Sequence, residues 1–158
     1  MKRLFAAVLC LFVVTSCSTK KGIVTSSEKK DSTQIGYGVN GSDAGQAGDL
    51  KTVHFDFDKS NLTLEARKIL KANAEWLKKN PSVSVQIEGH CDSRGTIEYN
   101  LALGEKRALD VKTYLSNLGI KKKRLSTISY GKERPLITGE NEAAWAQNRR
   151  ANFVIISK

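Results

Sequence analysis

The chain has 158 residues, 26 of them lysine or arginine and 16 aspartate or glutamate, for a formal net charge of +10. Its length allows one or two small domains, and with three cysteines a disulfide-rich scaffold is excluded. An excess of cations on this scale points to an anionic partner.

In chain order, Lys2 and Arg3 come first, then an apolar run from Leu4 to Val14, then small residues ahead of Cys17. This is the pattern of a secretory signal peptide over residues 1–16. The eleven apolar residues fall well short of the about 20 that a membrane span needs. Val14-Thr15-Ser16-Cys17 resembles the lipobox of bacterial lipoproteins. That likeness implies cleavage before Cys17 and acylation of its sulfur and amine, which anchors the chain stably when two or more acyl chains are present. Export also argues against nucleic acid as the anionic partner, leaving cell-wall polymer, lipid or an acidic protein. Cys10 leaves with the signal and Cys17 carries lipid, so Cys91 is alone and no structural disulfide can form in the mature chain. Its place at a strand end favours burial over reactivity.

Residues 17–50 read as a lipidated N-terminus followed by a flexible linker, because Ser, Gly, Thr and Lys dominate without a sustained apolar period. Losing Lys2 and Arg3 takes the charge to +8, and residues 18–50 hold four cations and four anions, so the whole excess belongs to residues 51–158. That stretch is long enough for one domain with its own core.

Val53, Phe55 and Phe57 alternate with polar residues, as in a strand with one buried face. Thr63 or Ser60 can cap a helix whose stripe is Ala66, Ile69, Leu70, Asn73, Ala74 and Leu77, ended by Asn80-Pro81. Val83, Val85 and Ile87 make a second strand, closed by Gly89. A polar loop from His90 to Thr96 leads into a long helix with a stripe at Leu101, Ala108, Val111, Leu115 and Leu118, stopped by Gly119. Leu125 to Tyr130 reads as a third strand, Asn141 caps a short helix through Arg149, and Asn152 to Ser157 reads as a fourth strand. Alternating strands and helices predict an α/β (α+β) two-layer sandwich: a mixed four-stranded sheet with helices packed on one face.

Candidates for catalysis are few. His90 and Cys91 are neighbours in sequence, so on a continuing strand they point to opposite faces and make no dyad. His54, His90 and Asp92 lack a metal-ligand spacing, and Asp56 with Asp58 suits a turn at a strand end as well as it suits acid–base work. More informative is the helix face carrying Asn100, Leu103 and Arg107, with Asp92 arriving from the preceding loop. A carboxylate and a guanidinium could line one cleft there, although composition alone favours a plain Asp92–Arg107 salt bridge.

Phe55-Asp56-Phe57-Asp58-Lys59-Ser60, Ile87 through Thr96, Glu98 through Glu105, Ser129-Tyr130-Gly131 and Asn141 through Arg150 together resemble the OmpA-like domain of the peptidoglycan-associated lipoproteins of Gram-negative bacteria. The resemblance spans essentially all of residues 51–158. It implies a peptidoglycan-binding domain without catalytic activity or cofactor, holding the diaminopimelate of the stem peptide noncovalently. Asp92 would take the ligand's ammonium and Arg107 its carboxylate, overturning the salt-bridge reading. Asn100 and Leu103 would complete one wall, Phe57 and Asp58 the other, with Arg150 a weaker candidate. It further implies an outer-membrane location, lipid contact through Cys17, TolB and other Tol proteins as partners, and a part in cell division. Ser93 stands where the family commonly has Glu, and Leu64 where it commonly has Pro.

Overall fold

A computed structural model describes residues 41–157. The signal peptide, Cys17 and most of the expected linker therefore lie outside the described residues. Four strands and three helices follow in order: β1 (Val53–His54), α1 (Leu64–Lys79), β2 (Ser84–His90), α2 (Ile97–Asn117), β3 (Leu125–Gly131), α3 (Glu142–Asn148) and β4 (Arg150–Ser157). The sheet runs β1-β4-β2-β3, with β2 and β3 parallel and β4 antiparallel to both β1 and β2. The expected mixed sheet of four strands is thus present. A parallel pair needs a long crossover, and α2 supplies it. No helix among the described residues is long and apolar enough to cross a membrane.

One face of the sheet carries Val85, Ile87 and Phe153 into a core shared with Leu70 and Leu77 of α1 and Val111 and Leu115 of α2. Thr63 caps α1 by accepting from the Ala66 N–H at 3.1 Å, so Leu64 is the first helical residue, where the family's proline would sit without cost. Asn73 in the helical stripe is buried for a different reason from its neighbours. Its amide accepts from the Lys51 N–H at 2.9 Å and donates to the Lys51 carbonyl at 2.8 Å, fastening the segment before β1 to α1.

Four expectations need correction. The folded domain reaches back at least to Gly41, ten residues before Lys51. Ala47 and Leu50 are core residues, and Asp43 makes a buried ion pair with Arg150 at 2.6 Å. These anchors follow no helical or strand period, so the segment passes for linker. Phe57 is not on a buried strand face, because β1 ends at His54 and Asp58 turns the chain at φ 55°; Phe57 is 55% exposed. Leu101 is 39% exposed, since the inward positions on that half of α2 are Asn100, Gly104 and Arg107. Gly89 does not close β2 but lies inside it, where a Cβ would come within 1.9 Å of the Gly104 carbonyl oxygen.

The other sheet face carries a polar cluster where β2 and β4 meet. Asn152 donates to Glu88 at 2.9 Å, and the buried His90 ring lies 3.6 Å from the same carboxylate, with neither ring nitrogen hydrogen-bonded. Burial pulls the His90 pKa below its ordinary value, and Arg150 adds to this while Glu88 opposes it. Unfolding releases an imidazole that protonates more readily, so stability falls as pH drops through about 6.5. Thermal melts are expected to show wild type losing stability between neutral pH and pH ~5, with His90→Gln flattening that slope. A slope unchanged by the substitution would assign the loss to other groups.

Candidate functional site

A cleft of about 200 Å³ opens at the C-terminal end of β2, lined by Phe57, Asp58, Cys91, Asp92, Arg94, Gly95, Tyr99, Asn100, Leu103 and Arg107. Six of the seven residues singled out from the sequence converge here. Arg150 does not. It lies fully buried against Asp43, and its neighbour Arg149 reaches the cleft side, donating to Asp92 at 3.3 Å. Ala151 and Phe153 of β4 are buried core residues, and side chains alternate along a strand, so Arg150, the first residue of β4, takes the opposite side. Arg149 lies ahead of the strand, in the bend that ends α3, and turns toward Asp92.

Arg107 is fully buried in the cleft wall. Its Nε donates to the Lys59 carbonyl at 2.8 Å, Nη1 to the His90 carbonyl at 2.8 Å and to Cys91 Sγ at 3.4 Å, and Nη2 to the Asp56 carbonyl at 3.1 Å. No ion pair joins it to a carboxylate among the described residues, so the simple Asp92–Arg107 bridge is not formed. Burial disfavours the Arg107 charge and lowers its pKa. Guanidinium nevertheless stays protonated in proteins, leaving a charged group held by neutral acceptors.

Asp92 is engaged from the opposite side. Arg94 donates to it through Nε at 3.3 Å and Nη2 at 2.6 Å, and the Arg94 backbone N–H at 3.2 Å. Burial alone would push the Asp92 carboxyl up, but the hydrogen bonds from Arg94 and Arg149 outweigh it and hold the pKa below the usual value. Arg94 itself is stacked between Phe57 and Trp145, with its guanidinium carbon 3.9 and 4.0 Å from the ring centres. Asn100 shapes the loop by donating to the carbonyls of Arg94 at 2.7 Å and Thr96 at 2.9 Å. Tyr99 donates its hydroxyl to Asp58, and Ser93 bridges Trp145 and Glu140. Sequence reasoning missed Arg94, Tyr99 and Arg149. Arg94 had a readable signal, a cation two residues from Asp92 in a loop, but its aromatic partners come from distant segments.

His90 and Cys91 point away from one another, His90 to the polar sheet face and Cys91 into the cleft wall. Among the described residues no three histidine, cysteine or acidic side chains converge as metal ligands. The Cys91 thiol donates to the Asn100 carbonyl at 3.3 Å, and burial pushes its pKa up to about 11. Since the thiolate is the reactive form, alkylation of the folded protein at pH ~8 is expected to be slow and to become rapid in denaturant. Fast labelling under native conditions would contradict this placement.

The OmpA family model matches residues 54–149, which contain every residue that lines the cleft. The chain belongs to the OmpA family. It is 41% identical to a peptidoglycan-associated lipoprotein of Pseudomonas aeruginosa, with 94% of each chain aligned, and 36% identical to one of Brucella melitensis over 94% of this chain and 89% of the other. A crystal structure of the peptidoglycan-associated lipoprotein from Burkholderia pseudomallei is similar at a TM-score of 0.64 and 45% identity, covering 66% of this chain and 88% of that one. Within the OmpA family fold, the cleft lies where the loop after β2 meets the first turns of α2.

Proposed function

We propose that this chain is an outer-membrane lipoprotein, acylated at Cys17, whose domain binds peptidoglycan through the diaminopimelate stem peptide and catalyses no reaction. The observation that carries the reading is Arg107: a fully buried cation in a cleft wall, held by carbonyls and a thiol, with no carboxylate of its own. Guanidinium has five N–H donors in a fixed fork, and four are spent on these partners, which leaves one on Nη2. A ligand carboxylate entering the cleft would meet that donor in a site already paid for in desolvation. A ligand ammonium would take its place on Asp92, sharing the carboxylate with Arg94 or displacing it. Phe57, Asp58, Asn100 and Leu103 would close around the stem.

The names of the relatives support peptidoglycan as the wall polymer. In this reading the domain tethers the outer membrane to the wall, works with TolB and other Tol proteins, and helps draw the membrane inward at division. Calorimetric titration of the unlipidated Cys17→Ser chain with a diaminopimelate stem peptide tests the site. Binding is expected, with clear loss for the lysine-containing peptide, which keeps the ammonium but lacks the carboxylate beside it. Equal affinity for both would remove the role given to Arg107. The competing readings are a periplasmic protein-binding scaffold, which isolated wall would not retain, and a wall hydrolase, which would release muropeptides from purified wall, whereas a tether is retained and releases none. Competition between TolB and wall for the domain is expected in pull-downs, and a ternary complex would reject a shared surface.

A further inference from the structure

The end of the domain opposite the cleft is strongly basic. Arg124, the last residue of the short 3-10 turn Lys122–Arg124, donates to the carbonyls of Leu77 at 2.9 Å, Asn80 at 2.7 Å and Val83 at 2.7 Å. That staple brings residues 121–123 to the same end of the domain as Lys78 and Lys79 in the last turn of α1, with Lys122 in a groove beside Lys112 of α2, and Lys78, Lys79, Lys121, Lys122 and Lys123 are all exposed. Lysines in a last helical turn answer the helix dipole, which accounts for Lys78 and Lys79 but not for the three that follow α2. Glu75 is the acid nearest this cluster along α1, and it is paired with Lys78 at 2.8 Å. Asp110 on α2 lies apart from the cluster, in a groove with Arg67.

The chain also enters the fold from this end. Gly41 pairs with Val154, Ser42 bonds Asn152 and Asp43 bonds Arg150, so residues 41 to 43 run antiparallel to β4. They come from the side of Ser157, which pairs with Ser84 at the start of β2, beside the Arg124 staple. Residues 18–40 separate Cys17 from Gly41, a contour of roughly 80 Å at full extension.

We infer that this basic end is a docking surface for the anionic phospholipid leaflet to which the chain is tethered, so that the cleft at the other end of β2 faces away from the membrane. The orientation rests on the proposed anchor at Cys17, whereas the lipid contact itself does not. Five exposed lysines at one end of the domain complement phosphate headgroups, and a tether converts a weak charge contact into a populated one by raising the local lipid concentration. Such contacts fade with salt, because exposed charges are screened over about 8 Å at physiological ionic strength.

The test is cosedimentation of the mature chain from residue 17 onward, carrying Cys17→Ser, with vesicles of phosphatidylglycerol and phosphatidylcholine, and of phosphatidylcholine alone. The wild type is expected on the anionic vesicles only, in a salt-sensitive manner. Lys121→Glu, Lys122→Glu and Lys123→Glu combined should weaken it by at least roughly tenfold without changing the melting temperature. Stem-peptide titration of the same variant should match wild type, so the two readings fail separately. The proposal falls if the triple variant still binds vesicles, if neutral vesicles bind equally, if no vesicle binds, or if the variant loses only its retention on isolated wall.

Discussion

Gly89→Ala is expected to destabilise the domain by at least about 3 kcal/mol, seen as a melting temperature lower by roughly 10–20 °C or as failure to fold. A Cβ on Gly89 would sit 1.9 Å from the Gly104 carbonyl oxygen and 2.6 Å from its carbon. Both obstacles are helix backbone, so no rotamer relieves them and α2 must move off β2. That helix carries Asn100, Leu103 and Arg107, so surviving folded protein should bind stem peptide more weakly as well. Gly104→Ala provides the graded comparison. Its Cβ would meet Ser129 Oγ at 2.3 Å and the Gly89 oxygen at 2.9 Å, and a hydroxyl can swing aside at the loss of its bond to the Leu101 carbonyl. The smaller effect is therefore expected at Gly104. Denaturant melts that reverse this order, or leave Gly89→Ala near wild type, would show that the sheet gives way more easily than its backbone contacts indicate.

This pair of glycines also marks the boundary of what the sequence made legible. Periodic apolar positions report packing, so Val85 and Ile87, the α1 stripe and the capping residues Thr63 and Asn141 were all readable and all stand where expected. A glycine reports only the absence of a side chain. Gly89 looks like a strand terminator until α2 is placed against it. The same limit applies to Ala47 and Leu50, which are held by tertiary contacts with no local period. At the site, Asp92, Asn100, Leu103 and Arg107 came from helix geometry and family resemblance together. Arg149 was missed in favour of Arg150, although Phe153, a core apolar residue, already placed Arg150 on the opposite face of β4. Trp145 over Arg94 could not be read at all, because that contact joins the loop after β2 to α3 and has no short-range signature.

Arg107→Lys and Arg107→Ala are expected to separate what the guanidinium does for folding from what it does for a ligand. In the alanine variant the carbonyls of Asp56, Lys59 and His90 all lose the guanidinium, although Asp56 keeps the Lys59 N–H at 3.3 Å. The bond to His90 is the fully buried one, and an unmet buried acceptor costs about 1–3 kcal/mol, so a loss of that order in stability is expected before any ligand is considered. Weak binding by that variant alone would therefore prove little. Lysine keeps the positive charge but is a point donor with three N–H groups in place of the planar fork, so it can hold some of the carbonyls yet cannot also present the N–H left on Nη2. The lysine variant is expected to fold, with a modestly lowered melting temperature, and to lose at least roughly tenfold in stem-peptide affinity, since breaking one partner of a buried, hydrogen-bonded charge pair costs about 2–5 kcal/mol. The lysine-containing peptide, which lacks the carboxylate, should bind wild type and Arg107→Lys almost alike, because the interaction being removed is absent from both complexes. That convergence distinguishes direct contact from a distorted cleft, which would weaken both peptides in parallel. Should Arg107→Lys bind the diaminopimelate peptide as tightly as wild type, the buried guanidinium would be a structural clamp on three carbonyls, and the carboxylate would have to be sought at Arg94 instead.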